Sequence, residues 1–175
     1  MSLSAPRQGG FLVVRLLDPP PELLGENVLF NGGTYPMLSA GDHWYRLIGL
    51  STYVEPGGYP VEVVSAQGAL ATAAAGITEG GFEYESIELP PSSTDLLSDQ
   101  AAIDAEKATL NAVYAGFTAT RSWSGTWRMP ADGVISNAFG LQRSINGGPY
   151  YPHSGTDVAN DKGTPVYASA AGTVA

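Results

Sequence analysis

Turn signals divide the first ninety residues of the chain into short apolar runs. Asn31-Gly32-Gly33, Gly41-Asp42 and Pro56-Gly57-Gly58 are the clearest of them, because Asn and Gly accept the positive φ angles that tight turns need. The runs between the signals have the length of strands and not of helices. With a turn signal about every 8–12 residues, the pattern predicts about seven antiparallel strands packed as a sandwich of immunoglobulin-like type.

The predicted fold class is mainly β, with this sandwich as a domain over residues 1–90. Its strands are predicted at residues 11–16, 28–30, 34–38, 44–50, 59–64, 70–77 and 82–87. The alanine-rich stretch 69–75 has helical propensity, but its place between two turn signals favours a strand. The run 82–87 alternates apolar and polar residues, which is typical of a half-buried strand.

The pattern changes at the proline pair Pro90-Pro91. The four residues 92–95 that follow are Ser, Ser, Thr and Asp, which offer side chains that can cap a helix. From residue 96 to about residue 117, small apolar residues recur at three- to four-residue steps, as on one face of a helix. They are Leu97, Ala101, Ala105, Ala108, Ala112 and Ala115. The sequence therefore predicts one connecting helix within a linker over residues 91–128.

Charge and cysteine content exclude several classes of protein. The formal net charge is −9, and residues 1–118 hold fourteen acidic against four basic side chains. A negative surface repels phosphate backbones, so nucleic acid is not an expected partner. With no cysteine, disulfides and thiolate metal ligands are excluded. No apolar run is close to the length of about 18 residues that suggests a membrane span. The sequence does not indicate an oligomeric state.

His153 and Asp157 are candidate metal ligands near the end of the chain. In a straight strand, residues four apart lie about 13 Å from each other, whereas ligands of one zinc ion approach it to about 2.0–2.2 Å. Sharing an ion therefore requires a bend between them, and Gly155 is where a bend costs least. On spacing alone, a surface histidine beside a turn aspartate is the more common explanation of such a pair. The other histidine, His43, is more than a hundred residues upstream and is expected in a turn.

An ordered set of motifs surrounds this pair. It runs Gly133-x-Ile135-Ser136-x-x-Phe139-Gly140-x-x-Arg143-x-x-Asn146-Gly147, then Pro152-His153-Ser154-Gly155-x-Asp157, then Gly163-Thr164-Pro165-Val166-x-Ala168-x-x-x-Gly172-x-Val174. This run resembles the lysostaphin-like, LytM-type zinc peptidoglycan endopeptidases over about the last 45 residues. The resemblance implies that residues 129–175 form the start of a truncated, β-rich peptidase domain. A strand is expected at 164–168, and another begins at Thr173 as the chain ends.

The resemblance assigns His153 and Asp157 as the first two zinc ligands of an incomplete site. The family's third ligand and its catalytic histidines belong to a later segment with an H-x-H motif, which has no counterpart here, so no catalytic residue is assigned in this chain. The implied function is the N-terminal portion of a cell-envelope zinc metalloendopeptidase, periplasmic or secreted, acting on the peptide cross-links of peptidoglycan. This chain alone is then expected to be inactive.

Two alternatives remain on the sequence alone. The chain could be a non-catalytic envelope scaffold or hydrolase activator with a degenerate peptidase-like domain, or residues 10–90 could be a sandwich that binds carbohydrate or peptide. Trp123 and Trp127 could stack on glycan, although tryptophans four apart more often pack a domain junction. For Arg143, a structural ion pair or exposure to solvent is expected rather than contact with substrate.

Overall fold

A computed structural model describes residues 1–19, 25–90, 99–116, 118 and 120–173 of the chain. It divides into two compact units, Met1–Phe82 and Glu83–Ala175. Strands dominate the first unit, and the described residues of the second unit form short strands and one helix. The predicted mainly β fold class is therefore confirmed.

Two antiparallel sheets form the first unit. One sheet has the strand order β1-β2-β6-β5 and the other β4-β3-β7-β8. The strands are β1 Ser2–Leu3, β2 Phe11–Leu17, β3 Asn27–Phe30, β4 Gly33–Pro36, β5 Leu38–Ser39, β6 His43–Gly49, β7 Gly57–Ser65 and β8 Gly68–Ile77. Each predicted strand in this part of the chain is present, with ends that differ by a few residues. His43, expected in a turn, begins β6 and pairs with Leu17.

Alternation along the strands builds one core from both sheets. In β2 the side chains of Leu12, Val14 and Leu16 are buried, while those of Phe11 and Arg15 are exposed. Successive strand residues point to opposite faces, so one face of β2 supplies the core. The core also takes in Val28, Phe30, Met37, Ile48, Leu50, Val54, Val61, Val63, Ala75 and Ile77. This contiguous cluster is the main source of stability in the first unit.

The predicted hairpin turn at Asn31-Gly32-Gly33 joins β3 to β4. Asn31 has φ 46° and Gly32 has φ 77°, and two successive positive φ angles are the signature of the type I′ turn that suits a twisted hairpin. The alanine-rich stretch is strand β8, as expected from its flanking turns. It pairs with β7 from Gly57↔Ile77 to Ser65↔Gly68, and this long pairing outweighs the helical propensity of alanine.

The second unit holds five short strands and one helix among its described residues. The strands are β9 Tyr84–Ile87, β10 Val134–Asn137, β11 Gln142–Ile145, β12 Tyr151–Pro152 and β13 Asp157–Ala159. They form a three-stranded sheet of order β12-β11-β9 and a separate pair, β10-β13. Strand β9 runs parallel to β11, from Tyr84↔Gln142 to Ile87↔Ile145. The predicted strand at 82–87 thus pairs with a strand near residue 142, and the expected domain limits stay a prediction.

Helix α1 spans Gln100–Tyr114, inside the predicted segment 96–117. The Oδ1 atom of Asp99 accepts a hydrogen bond from the backbone N–H of Ala102 at 3.1 Å, which caps the helix start. None of its side chains is buried. Residues 92–98 and residue 117, on which the sequence also predicts helix or caps, lie outside the described residues. Within the described ranges, no helix is long and apolar enough to cross a membrane.

The strand predicted at residues 164–168 is wrong. That segment has no regular pairing in the structure. Its neighbourhood makes two backbone hydrogen bonds to the segment around Pro130: Tyr167 donates to Pro130 at 2.7 Å, and Arg128 donates to Ser169 at 3.0 Å. A strand needs a paired neighbour on at least one side over several residues, and isolated bonds do not supply one. The strand expected from Thr173 runs into residues 174 and 175, outside the described ones.

Candidate metal centre

His153 is fixed at the end of β12 by its own backbone. Its N–H donates to the carbonyl oxygen of Leu141 at 2.8 Å, and its carbonyl accepts from the N–H of Gly140 at 2.8 Å. These two bonds extend the pairing between β11 and β12 past the end of the strands. Two hydrogen bonds therefore fix the backbone that carries the imidazole of His153.

The ring of His153 faces two acceptors. Its Nδ1 atom lies 3.3 Å from the carbonyl oxygen of Ala138. A carbonyl oxygen can only accept a hydrogen bond, so a neutral ring that donates from Nδ1 in this contact has its lone pair on Nε2. A histidine that ligates a metal through one nitrogen commonly donates from the other to a carbonyl in this way.

Asp157 begins β13, opposite Asn137 of β10. The Nδ2 atom of Asn137 donates to Oδ2 of Asp157 at 3.0 Å. The register between these strands shifts, so that Ile135 pairs with Val158 and Asn137 with Asp157, which leaves Ser136 as the extra residue of a bulge. Bulges re-aim the side chains beside them. Here the bulge sets Asn137 directly against the carboxylate and leaves Oδ1 available.

The structure brings His153 and Asp157 together. Nε2 of the histidine lies 3.4 Å from Oδ1 of the aspartate, so the chain bends between them as a shared ion requires. Gly155 does not have a positive φ, and a Cβ there would meet no atom within 4 Å. The bend therefore does not depend on glycine, contrary to the expectation from sequence.

The facing atoms form an arrangement that suits a cation. In the neutral tautomer with the proton on Nδ1, Nε2 and Oδ1 are both acceptors, and two acceptors turned towards each other repel unless a cation lies between them. In a protonated ring the same contact is a histidine–aspartate ion pair. Two ligands about 2.0–2.2 Å from a tetrahedral zinc ion are separated by roughly 3.3–3.6 Å. The observed separation of 3.4 Å falls in that interval. The donor set therefore fits two corners of a zinc site.

A third ligand is not found in the part of the chain that the structure describes. There, no group of three or more His, Asp, Glu or Cys side chains is placed to hold a metal ion. His43 belongs to the first unit, where its Nδ1 lies 2.6 Å from Oδ1 of Asp42. The hydrogen bond from His43 lowers the pKa of the Asp42 carboxyl below its ordinary value. The Asp42–His43 pair is thus a hydrogen bond within the first unit and does not supply a third ligand to the pair at His153.

Solvent reaches both candidate ligands, and Arg143 is paired with a glutamate. The exposed fraction is 17% for the His153 side chain and 50% for that of Asp157, so solvent reaches the pair. Arg143 donates from Nε to Oε2 of Glu85 at 3.2 Å, which confirms the expected structural ion pair. Asn137 and the carbonyl of Ala138 were not singled out in the sequence. Both residues lie between Ser136 and Phe139 of the motif run described above. This position is the sequence signal that could have pointed to them.

Comparisons with known proteins give one line of support. No protein-family model matches the chain, and no curated protein matches it either. Among solved structures, the chain is similar to the crystal structure of a putative peptidase M23 from Pseudomonas aeruginosa, with 25% sequence identity and a TM-score of 0.65. The match covers 96% of this chain, and the chain spans 61% of the length of that protein. At the level of the fold, this similarity supports the peptidase M23, or LytM-type, family that the motifs around His153 resemble.

Proposed function

We propose that this chain is the N-terminal portion of a zinc metalloendopeptidase that hydrolyses the peptide cross-links of bacterial peptidoglycan. The contact between Nε2 of His153 and Oδ1 of Asp157 at 3.4 Å carries the proposal. The fold-level similarity to a peptidase M23 supports the reaction class. The choice of peptidoglycan, and of the cell envelope as the location, rests on the motif resemblance.

The chain's own residues have distinct roles in this proposal. His153 and Asp157 would hold zinc, which when bound acts as a Lewis acid and lowers the pKa of a bound water. Asn137 orients the carboxylate through Oδ2, and the carbonyl of Ala138 selects the ring tautomer that leaves Nε2 free to bind. A neutral imidazole and one carboxylate contribute a single negative charge, so the site would retain net positive charge with a dication. That charge favours an anionic oxygen beside it.

The remaining parts would support this site. The sandwich of the first unit is proposed as the accessory domain that positions or shields the peptidase domain. Helix α1 lies within the second unit and is proposed as the element that connects β9 to the strands from β10 onward. In the second unit, Gly140 and Ser144 are the buried residues among those described, and no apolar side chain there is buried. A peptidase domain needs an apolar core of its own, so we propose that this unit becomes a working domain together with a further segment that supplies the third ligand.

Metal binding by the 175-residue chain tests the proposal directly. Titration with Co²⁺, followed by its visible absorption and by competition with Zn²⁺, should show one weak site. His153→Ala and Asp157→Ala should each weaken it at least tenfold, while Asp161→Asn, a nearby exposed turn residue, should leave it unchanged. In parallel, the product of the complete gene should release peptides from purified sacculi and lose that activity with His153→Ala. Equal metal affinity in all three variants would refute the site.

A non-catalytic scaffold or hydrolase activator is the second candidate. The absence of a three-ligand group among the described residues favours it. It predicts that the complete gene product binds sacculi without releasing peptides and that His153→Ala changes neither property. The enzyme proposal predicts the opposite result in the same assay, so one experiment separates the two.

A further inference from the structure

Strand β8 forms one outer edge of the second sheet of the first unit. In that sheet, of order β4-β3-β7-β8, it pairs with β7. It is 10 residues long, and residues of an antiparallel strand alternately direct their backbone N–H and C=O groups to either side. Among the described residues of the first unit, no strand pairs with the groups that β8 directs away from β7. These groups are a template on which a further strand can pair.

The other outer strands of the first unit are protected by their length or their sequence. Strands β1 and β5 have 2 residues each, and β4 has 4 and ends at Pro36. Short edge strands and proline are common devices against edge pairing. In β8 a register shift leaves Leu70 as the extra residue of a bulge, but residues 71–77 pair regularly with β7. This regular segment holds neither proline nor charge, so it is the long unprotected edge of the described first unit.

Small side chains line this edge. Residues 71–77 are Ala, Thr, Ala, Ala, Ala, Gly and Ile, and residues 72–74 are exposed. The segment stops directly before Thr78, whose N–H donates to the carbonyl of Pro6 at 3.1 Å and whose carbonyl accepts from the N–H of Gln8 at 3.0 Å. The edge is therefore open over residues 71–77, and the chain's own backbone occupies the position beyond them.

We propose that β8 pairs with β8 of a second copy of the chain, antiparallel, about a twofold axis at Ala74. A twofold axis brings the same surface of both copies together, so one open antiparallel edge is complementary to its own copy. Ala74 is the middle of residues 71–77, and an axis there gives the whole segment a partner. Ala73 then faces Ala75 of the second copy, and Thr72 faces Gly76. Every facing pair contains an alanine or a glycine, so opposite side chains do not clash.

The distribution of charge favours a second copy as the occupant. The formal net charge of −9 opposes self-association in general, but residues 66–78 hold no charged side chain. Glu62 is the acidic residue of β7, opposite Thr72. In the proposed pair, the two copies of Glu62 are at least three strand spacings apart, about 14 Å, which exceeds the screening length of about 8 Å at physiological salt. A charged peptide would find no opposite charge along this edge, whereas the uncharged edge matches its own copy.

Sedimentation equilibrium of the full 175-residue chain over a range of concentrations, in EDTA, tests this inference. The unaltered chain should form a reversible dimer. Ala74→Lys places like charges directly opposite each other and should raise the dissociation constant by about tenfold or more, while Ala74→Val should dimerise at least as well because valine favours strands. Thr34→Lys is the matched control, since it adds the same charge at an exposed position of β4, and it should dimerise as the unaltered chain does.

Single cysteines test the position of the axis, because the chain has none of its own. Under mild oxidation Ala74→Cys should give a disulfide-linked dimer, since facing residues have Cβ atoms about 4.5–5.5 Å apart. Thr72→Cys should not, because residue 72 lies about 14 Å along the strand from its own copy. A chain that stays monomeric, even one that binds an extended peptide at β8, would overturn the proposal. Equal dissociation constants for Ala74→Lys and Thr34→Lys, or equal linkage of the two cysteines, would also overturn it.

The dimer edge does not rest on the proposed function. His153→Ala should dimerise as the unaltered chain does, because His153 belongs to the second unit. A chain that dimerises through β8 but binds no Co²⁺ would uphold this edge and refute the metal site. A chain that binds Co²⁺ and stays monomeric would do the opposite.

Discussion

Asn137 donates a hydrogen bond to Oδ2 of Asp157 across 3.0 Å, from the strand that pairs with the one Asp157 begins. The carboxylate is thereby anchored on one oxygen and open on the other. The open oxygen is the one that faces His153 at 3.4 Å. A backbone bulge, one amide and one carbonyl together hold the two proposed ligands in place.

Removing the amide of Asn137 should weaken metal binding. In Asn137→Ala, Oδ2 of Asp157 loses its donor and the carboxylate can rotate, so we expect about 10- to 100-fold lower affinity for Zn²⁺. Competition with a chromophoric chelator measures this. Asn111→Ala is the matched control, because Asn111 is exposed on helix α1 and does not lie on the strands that carry Asn137 and Asp157. An affinity in Asn137→Ala equal to that of the control would show that the amide does not orient the ligand.

Gly133→Ala should disrupt the site from a distance. A Cβ at Gly133 would lie 2.5 Å from the backbone oxygen of Ala159, the residue that pairs with Val134 at the end of the β10–β13 ladder. Because backbone cannot move aside cheaply, the pairing that positions Asp157 should open, and metal affinity should fall at least tenfold. Gly155→Ala lies between the two ligands but has open space around it, so it should bind metal normally. Equal affinities in the two variants would contradict the role of the ladder.

Core truncation in the first unit should be costly. Leu12 has no exposed surface, and Leu12→Ala should lower the free energy of unfolding by about 2–5 kcal/mol because it leaves a cavity. Leu17 lies on the same strand and is 51% exposed, so Leu17→Ala should cost less than about 1 kcal/mol. Urea unfolding followed by tryptophan fluorescence measures both. Similar costs in the two variants would mean that the alternation along β2 does not define the core.

The Asp42 carboxyl should titrate below the ordinary pKa of an aspartate. The hydrogen bond from His43 lowers the pKa of Asp42 below 3.8. A carboxyl whose folded pKa is lowered adds stability above its unfolded pKa, and this contribution is lost as the pH falls through the folded pKa. His43→Ala should therefore raise the pKa of Asp42 towards its ordinary value. Side-chain carboxyl shifts in an NMR pH titration report this, and an unchanged midpoint in His43→Ala would refute the assignment.

Local signals made the first unit largely predictable. Asn31-Gly32-Gly33 determines a hairpin by φ preference alone, and the alternation of Leu12, Val14 and Leu16 with exposed residues marks the buried face of a strand. Such features depend on neighbours in sequence. The motif run likewise singled out His153 and Asp157, and their approach to 3.4 Å is the geometry a shared ion needs.

Non-local pairing limited the prediction in the second unit. The alternation at 82–87 predicts a strand but does not choose its partner, and β9 pairs with β11, more than fifty residues later. Strand propensity at 164–168 was not realised, because no described strand lies alongside that segment to pair with it. Asn137 has no distinctive sequence signal, since its role depends on the register shift that places it opposite Asp157.

The parallel pairing of β9 with β11 has a consequence for synthesis on the ribosome. Strand β9 is complete at Ile87, and β11 begins at Gln142. At about 5–20 residues per second, the ribosome needs roughly 3–11 seconds to make the stretch between them. During that delay β9 has emerged without the neighbour that satisfies its backbone, while the first unit, whose strands end at Ile77, can already fold. The nascent chain is therefore most exposed to wrong strand pairing in this interval.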